Sequence, residues 1–233
     1  MPMRGCGATW PAMPMIPRLF LPLLAALSLG LPAPARADEA FELWLNPSVA
    51  TELDSRTGLE LETAQRLRSA DDQREDTYFF RLWLTRGVAE NATLGFAAER
   101  RINDGGRDET RIIQQLSSRH GFLRTRLRLE QRMVDGNGGR MGLRVRSRLG
   151  VQAPLDTAGR WAAWGDAELF LTLRPTSVGG NTGATGLRTQ LGITHDLTDS
   201  LTLSAAYLRQ EDFDPDGPNR IGHAPIIGIG LTF

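Results

Sequence analysis

Apolar and polar residues alternate with a period of two along most of this 233-residue chain. In residues 123–130, which read LRTRLRLE, leucine or threonine occupies every odd position and arginine or glutamate every even position. A helix would space its apolar residues three and four positions apart, whereas strict alternation puts them on one face of a β-strand. The pattern therefore predicts an all-β fold.

About eleven such runs follow one another, and tight turns alternate with longer Gly-rich or Asp-rich segments between them. Outer-membrane barrels separate their periplasmic turns from their extracellular loops in this way, and single-chain bacterial barrels have even strand numbers. We therefore expect an antiparallel transmembrane β-barrel of about 12 strands, with 10 as the alternative. The runs lie near residues 41–50, 57–68, 77–88, 92–102, 109–118, 121–133, 140–152, 161–173, 185–195, 200–210 and 223–233.

The first 37 residues have the features of a secretory signal. Arg4 and Arg18 supply positive charge, residues 19–31 are mostly apolar, and Ala35-Arg36-Ala37 forms the small-x-small pattern that precedes cleavage. The apolar run is shorter than the about 20 residues that a membrane-spanning helix needs. We expect a cleaved signal peptide over residues 1–37 and one barrel domain over residues 38–233, located in the bacterial outer membrane.

Composition excludes several classes of protein. Every basic residue is an arginine, and without the three arginines of the leader 24 of them remain against 27 acidic residues. A strongly basic nucleic-acid-binding protein is therefore excluded, and the apolar content of 41% excludes a disordered chain. The single cysteine, Cys6, lies in the leader, so the sequence predicts no disulfide and no cysteine metal site. No cofactor is expected.

The arginine-rich faces must point into the lumen if the barrel is embedded in lipid. An arginine that faces lipid at the bilayer midplane costs about 2–4 kcal/mol, so the arginines at 124, 126 and 128 alone would cost about as much as a whole domain's stability. The same alternation would also suit a soluble barrel with its arginines in water. The candidate lumen residues are Arg124, Arg126, Arg128, Glu130, Arg132, Arg144, Arg146, Arg148, Asp166 and Glu168.

Two further features favour the membrane. The chain ends in an aromatic residue with apolar residues at every second position before it, namely Ile227, Ile229, Leu231 and Phe233. This ending resembles the signal by which the barrel-assembly machinery recognises its clients. Five aromatic residues near the ends of runs are expected in the interfacial girdles: Trp44, Tyr78, Trp83, Trp161 and Tyr207.

Several ordered blocks resemble a bacterial family known as domain-of-unknown-function 2490. The most specific is Arg-x-Arg-x-Glu-x-Arg over residues 126–132, and it lies between an Arg-Ile-Ile-Gln-Gln-Leu block at 111–116 and Arg-Val-Arg at 144–146. Glu168-Leu-Phe170, the run around Gly192, Tyr207-Leu-Arg-Gln210 and Trp44 continue the similarity over the mature chain. The resemblance implies an outer-membrane barrel without an established activity.

Three functions remain open from the sequence. The arginines and acids can form an internal ion-pair network that fills the lumen, or the excess of arginine can line a narrow pore that favours anions. The third is a membrane-embedded hydrolase or lipid-binding barrel with its site on the loop side. The mature chain offers His120, His195 and His223 for such chemistry, but no serine motif accompanies them, so we assign no catalytic residue.

A loop near the C-terminus begins like a calcium-binding loop. Asp212, Asp214 and Asp216 precede Gly217, but His223 stands where a bidentate glutamate is required. These acids are therefore a weak candidate for a cation site, and no metal is expected. We expect a monomer that contacts outer-membrane lipid, meets the barrel-assembly machinery during biogenesis and binds no nucleic acid.

Overall fold

The computed structural model describes residues 39–68 and 76–233, which form eleven β-strands and contain no helix. The all-β prediction is confirmed, and each run identified in the sequence corresponds to a strand. The predicted signal peptide lies outside the described residues. The strands are β1 (Glu39–Asp54), β2 (Thr57–Arg68), β3 (Thr77–Ala89), β4 (Ala92–Asn103), β5 (Glu109–His120), β6 (Leu123–Val134), β7 (Met141–Pro154), β8 (Trp161–Arg174), β9 (Gly183–Asp196), β10 (Leu201–Asp212) and β11 (Arg220–Thr232). Within these described ranges, no helix is long and apolar enough to cross a membrane.

The strands close into a single barrel in sequence order. Each strand runs antiparallel to the next, whereas β1 pairs with β11 in parallel, from Glu39 opposite Ile221 to Ala50 opposite Thr232. The closed barrel of 10–12 strands is confirmed, but the strand number is odd rather than even. An odd number of alternating strands leaves the first and last pointing the same way, so one parallel pair is required to close the ring.

The two ends of the barrel differ in the length of their connections. One end carries short turns, such as the two residues between β1 and β2 and the two between β5 and β6. At the second of these, Gly121 adopts a φ of 58°, in the left-handed region that glycine reaches without strain. The other end carries longer segments, such as 135–140 and 175–182. We call these ends the turn end and the loop end.

Burial follows the alternation of the sequence. On β3, Phe79, Arg81 and Trp83 are buried, while Leu82 and Leu84, at the alternate positions, are exposed on the outer surface. The predicted partition, with leucines outside and arginines in the lumen, is therefore what the structure shows. The C-terminal series also faces outward: Ile227, Ile229 and Phe233 are exposed, while Ile226 and Gly228 face the lumen.

Two of the expected girdle aromatics instead fill the lumen. Trp44 and Trp83 are buried inside the barrel, so their assignment to an outer girdle is wrong. The reason is the period of two: Trp83 shares its face with Arg81, two residues away, and a position near a strand end does not change the face. Tyr207 and Trp161 do lie outside, where Trp161 stacks on His195 with ring centroids 4.0 Å apart.

Small residues line one side of the lumen. Ser48 on β1, Ser204 on β10 and Gly228 and Gly230 on β11 face inward there. The arginine-bearing strands β6 and β7 form the opposite side. Because one wall is thin and the other carries long side chains, the space inside the barrel lies against the β10–β11–β1 wall.

Candidate functional site: the arginine-lined lumen

Three fully buried glutamates on alternate strands organise the lumen. Glu99 on β4, Glu130 on β6 and Glu168 on β8 are at most 1% exposed. The strand register places each of them opposite an arginine of the neighbouring strand, as with Glu130 opposite Arg144. Cross-strand pairs of opposite charge stabilise a sheet, and buried carboxylates need such partners because a lone buried charge is costly.

The Glu168 carboxylate forms ion pairs with three arginines at once. Its carboxylate lies 2.6 Å from Arg126, 2.5 Å from Arg146 and 3.3 Å from Arg148. Arg126 and Arg148 stand directly opposite each other on β6 and β7, which would be repulsive for two cations. The glutamate, reaching in from β8, therefore holds this like-charged pair together.

Glu130 repeats the arrangement one layer further along. It accepts hydrogen bonds from Arg144 at 2.6 Å and Arg146 at 2.8 Å, and Arg128 lies 4.0 Å away. Arg146 thus bridges Glu130 and Glu168, and the two clusters form one continuous network. The acids of β6 and β8 thus lie among the arginines of β6 and β7 and reduce the repulsion between them.

A second network lies on β3, β4 and β5. Glu99 contacts Arg81, Arg101 at 3.1 Å and Arg111 at 3.4 Å. Arg111 continues to Glu109 at 2.5 Å, and Glu109 also pairs with Arg132 at 2.5 Å. Together, the ion pairs of the two networks include residues of every strand from β3 to β8.

Several guanidinium groups of the lumen also lie over aromatic rings. The guanidinium carbon of Arg66 lies 3.8 Å from the ring centroid of Trp44, and that of Arg188 lies 5.1 Å from the same ring. Phe79 and Phe170 each lie close to two further guanidinium groups, the nearest at 4.6 Å and 4.8 Å. Cation–π contacts of this kind are stronger when water is excluded.

Positive charge remains in excess inside the barrel. Among the described lumen residues ten arginines contact seven carboxylates, while Arg66 and Arg188 contact none, which leaves five more cations than anions in these contacts. Arg188 instead donates to the amide oxygen of Gln210, and Arg128 donates mainly to that of Gln115, at 2.7 Å. A cluster of cations between low-dielectric walls concentrates field lines and attracts anions.

Two of the cavities in the described part of the barrel are lined by the lumen arginines. One of about 390 Å³ lies inside the barrel, and the described residues that line it include eight arginines but a single acid, Glu62. The other, of about 380 Å³, lies at the turn end between residues 90–93, 117–119 and 164–166. Both are lined by Arg126, Arg148 and Trp164, so the inner cavity adjoins the turn end of the lumen.

The structure brings together nearly all the residues expected in the lumen. Arg126, Arg128, Glu130, Arg132, Arg144, Arg146, Arg148, Asp166 and Glu168 all take part in ion pairs. Arg124 lies apart from them, exposed at the turn end beside the outer cavity. That the lumen residues line a path for anions stays a prediction.

Sequence reasoning missed several lumen residues. These are Arg66, Arg81, Arg101, Arg111, Arg188 and Glu109, and all of them face the lumen. Arg81 and Arg101 share a face with the inward residues of their own runs, so the period of two could have found them. Arg66 shares its face with Arg68, so the same period could have found it, whereas Arg188 stands between Gly186 and Gln190 and no arginine series marks it.

The other candidates from the sequence take no part in the ion pairs of the lumen. His120 hydrogen-bonds to Asn91, and His223 Nδ1 lies 2.7 Å from the Tyr207 hydroxyl on the outer surface. In residues 39–68 and 76–233 no three His, Cys, Asp or Glu side chains are arranged to hold a metal ion. The acids of the calcium-like loop bind locally instead, since Asp214 accepts the backbone N–H of Asp216 at 3.0 Å.

An arginine near the end of β4 connects the charged residues of the loop end. Arg100 donates to Asp135 at 2.7 Å and to Asp108 at 2.8 Å, and so connects two neighbouring loops. The hydrogen bond from Arg100 holds the pKa of the Asp135 carboxyl below its ordinary value.

Comparison with known proteins supports the resemblance seen in the sequence. The family model described as "Protein of unknown function (DUF2490)" matches residues 41–221, which run from β1 to the start of β11. A search of curated proteins finds no match. The family match covers all the arginines and acids of the lumen networks. The chain therefore belongs to the family of proteins of unknown function DUF2490.

Proposed function

We propose that this protein is an outer-membrane β-barrel whose lumen forms a narrow passage that favours small anions. The observation that carries the proposal is the charge of the inner cavity, which eight arginines and one glutamate line. Rings of arginine select anions in other pores because they lower the energy of an anion and raise that of a cation.

The outer surface supports the membrane location. Large apolar side chains cover it from strand to strand, among them Leu82, Leu127, Leu149 and Leu191, which are between 50% and 65% exposed. A contiguous apolar band of this kind is unusual for a surface in water and is typical of the lipid-facing side of a barrel. The outward C-terminal series that ends at Phe233 fits recognition by the barrel-assembly machinery.

The closed ring supports a monomer that contacts lipid on all sides. Every described strand pairs with two neighbours, so none offers an unpaired edge to another chain. The short connections at the turn end correspond to periplasmic turns, and the longer ones at the loop end to extracellular loops. The predicted signal peptide would deliver the chain to this compartment.

The arrangement of the walls supports a passage rather than a uniformly filled core. The ion pairs fix the arginines against β3–β8, and the small side chains of β10, β11 and β1 leave the space opposite them. An anion that follows this space meets hydroxyl groups on one side and guanidinium groups on the other. Because an eleven-stranded barrel is narrow, only small ions would pass.

The test is the current through planar bilayers that contain the purified, folded barrel. In a KCl gradient we expect a reversal potential that indicates anion selectivity. Arg148→Gln removes a cation that lines both cavities and makes only 3.3 Å contacts with its acids, so it should reduce selectivity and leave the barrel folded. The matched control is Arg209→Gln, because Arg209 pairs with Glu211 away from the cavities. A folded barrel without current would be a filled, structural one, and cation selectivity would contradict the proposal outright.

A further inference from the structure

Two arginines at the deep part of the inner cavity stand apart from the ion-pair networks. Arg66 on β2 and Arg188 on β9, which we call the inner arginine pair, both line this cavity and both face the indole ring of Trp44. Every other arginine that lines the cavity lies within 4.0 Å of a carboxylate. The inner arginine pair is therefore the least neutralised part of the wall.

The hydrogen-bonding capacity of the pair is largely unused. The Nε of Arg66 is buried without a hydrogen-bond partner, and this side chain makes no ion pair within the described part of the chain. Arg188 is only 8% exposed, and its partner is the neutral amide of Gln210. A buried charged group without a charged partner is costly, so these two cations favour a ligand that carries negative charge.

The two guanidinium groups lie near the same aromatic ring and line the same cavity. Both guanidinium carbons lie within 5.1 Å of the Trp44 ring centroid, so they are no more than about 9 Å apart. Arg101 approaches from the side of Phe79, whose ring also lies 5.8 Å from Arg66. Arg101 and Arg188 both repel Arg66 electrostatically, and the attraction of Glu42 offsets only part of this repulsion. Three cations thus line a part of the cavity for which Glu62 is the one acid among the lining residues in 39–68 and 76–233.

The wall between β2 and β9, formed by β1, β11 and β10, offers neutral hydrogen-bonding groups. Asn46, Ser48 and Ser204 line the same cavity, and their side chains carry an amide N–H donor and two hydroxyl donors. Amide and hydroxyl groups of this type bind the oxygens of an anion whose charge the guanidinium groups neutralise. The planar fork of each guanidinium matches the oxygens of phosphate or sulfate better than a spherical halide.

We propose that the inner arginine pair forms a binding site for a small tetrahedral oxyanion, such as phosphate or sulfate, inside the barrel. The site rests on the anion access proposed above, and it adds a preference for oxyanions over chloride. The oxyanion bridges Arg66 and Arg188 and receives further hydrogen bonds from Asn46 and the serines. Its charge offsets the repulsion that Arg66 experiences from Arg101 and Arg188.

The first test measures the binding of inorganic phosphate to the full, folded barrel in detergent by isothermal titration calorimetry. We expect saturable binding that sulfate competes for and chloride does not. Arg66→Gln and Arg188→Gln should each weaken it about tenfold or more, since each loses a charged hydrogen bond. Arg209→Gln, on the outer surface, should leave it unchanged. Equal affinity in the wild type and both inner variants overturns the proposal.

The second test uses stability, where this proposal and a purely structural role predict opposite signs. In phosphate-free, low-salt buffer, Arg66→Gln should raise the urea midpoint, because it removes a repelled cation. Phosphate should raise the midpoint of the wild type but not that of the variant. If Arg66→Gln lowers the midpoint and phosphate still stabilises it, Arg66 is structural and the site is wrong. Current without phosphate binding refutes the site alone, whereas phosphate binding without current refutes the passage alone.

Discussion

Replacing Glu168 by glutamine tests whether the charges of the lumen are held in a water-poor interior. Glu168 is 0% exposed and contacts Arg126, Arg146 and Arg148. Glutamine keeps the size of the side chain and removes its charge, so three guanidinium groups lose their shared counter-charge. Breaking a buried ion pair from one side costs about 3–5 kcal/mol. Because Arg126 and Arg148 are partly hydrated, at 18% and 22% exposure, we expect the lower end, about 3 kcal/mol.

The assay is reversible urea unfolding in lipid vesicles, followed by tryptophan fluorescence. With a urea dependence of about 3 kcal/mol/M for a chain of this size, the midpoint of Glu168→Gln should fall by about 1 M. The matched control is Glu211→Gln, because Glu211 pairs with Arg209 at 2.9 Å where both side chains are partly exposed. An exposed ion pair contributes about 1 kcal/mol or less, so this midpoint should fall by no more than about a third of a molar unit.

The double variant Glu168→Gln, Arg126→Gln separates the loss of charge balance from a loss of packing. Removing Arg126 takes away one of the cations left without a counter-charge, so the double variant should be more stable than Glu168→Gln alone. Residues in one ion-pair network show coupling energies of about 0.5–3 kcal/mol. If Glu168→Gln costs under about 1 kcal/mol, water screens the lumen as it screens an exposed surface, and the reasoning from buried charge is wrong.

Three further changes test the outer surface, the packing and the loops. Leu82→Arg should cost about 2–4 kcal/mol in vesicles if this face meets lipid, and a cost under about 0.5 kcal/mol in urea unfolding would indicate water there. Gly192→Val should cost about 1–3 kcal/mol, because a Cβ at this position would come within 2.6 Å of a tryptophan ring that packs against it; the same change at Gly222, where nothing lies within 4 Å, should have little effect on the midpoint. Arg100→Gln should raise the pKa of Asp135 in an NMR titration, since the lowered pKa depends on that hydrogen bond. The stabilisation from the Asp135–Arg100 contact is present above the ordinary carboxyl pKa and is lost as the pH falls through the lowered one, and an unchanged pKa in the variant would contradict this.

Alternation in the sequence was sufficient to predict the strands and their two faces. Residues 123–130 illustrate why: a period of two assigns each side chain to a face without any knowledge of the neighbouring strands. The same rule places Trp83 in the lumen beside Arg81, and the expectation of a girdle failed because it used distance from a strand end instead of parity. Face assignment is local information, and so the sequence contains it.

The closure of the barrel and the partners within the lumen depend on information that the alternation lacks. The pattern gives no direction or neighbour for β1, whose pairing with β11 joins residues more than 180 positions apart. It also cannot show that Glu168 meets Arg126, two strands away, because that contact depends on the stagger of the strands and on side-chain length. The proximity of Arg66 to Arg188 could not be predicted for the same reason, since only the closed ring brings β2 and β9 to the same tryptophan.

The parallel seam between β1 and β11 also has a consequence for how the chain is oriented in a membrane. Since both strands run from the loop end to the turn end, Ala40 and Phe233 lie at opposite mouths of the barrel. An even-stranded barrel would bring the corresponding positions to the same mouth. The only natural cysteine is Cys6, so single cysteines introduced at Ala40 and at Phe233 would report the two mouths separately. An impermeant thiol reagent added to intact cells should label the first and reach the second only after the outer membrane is opened.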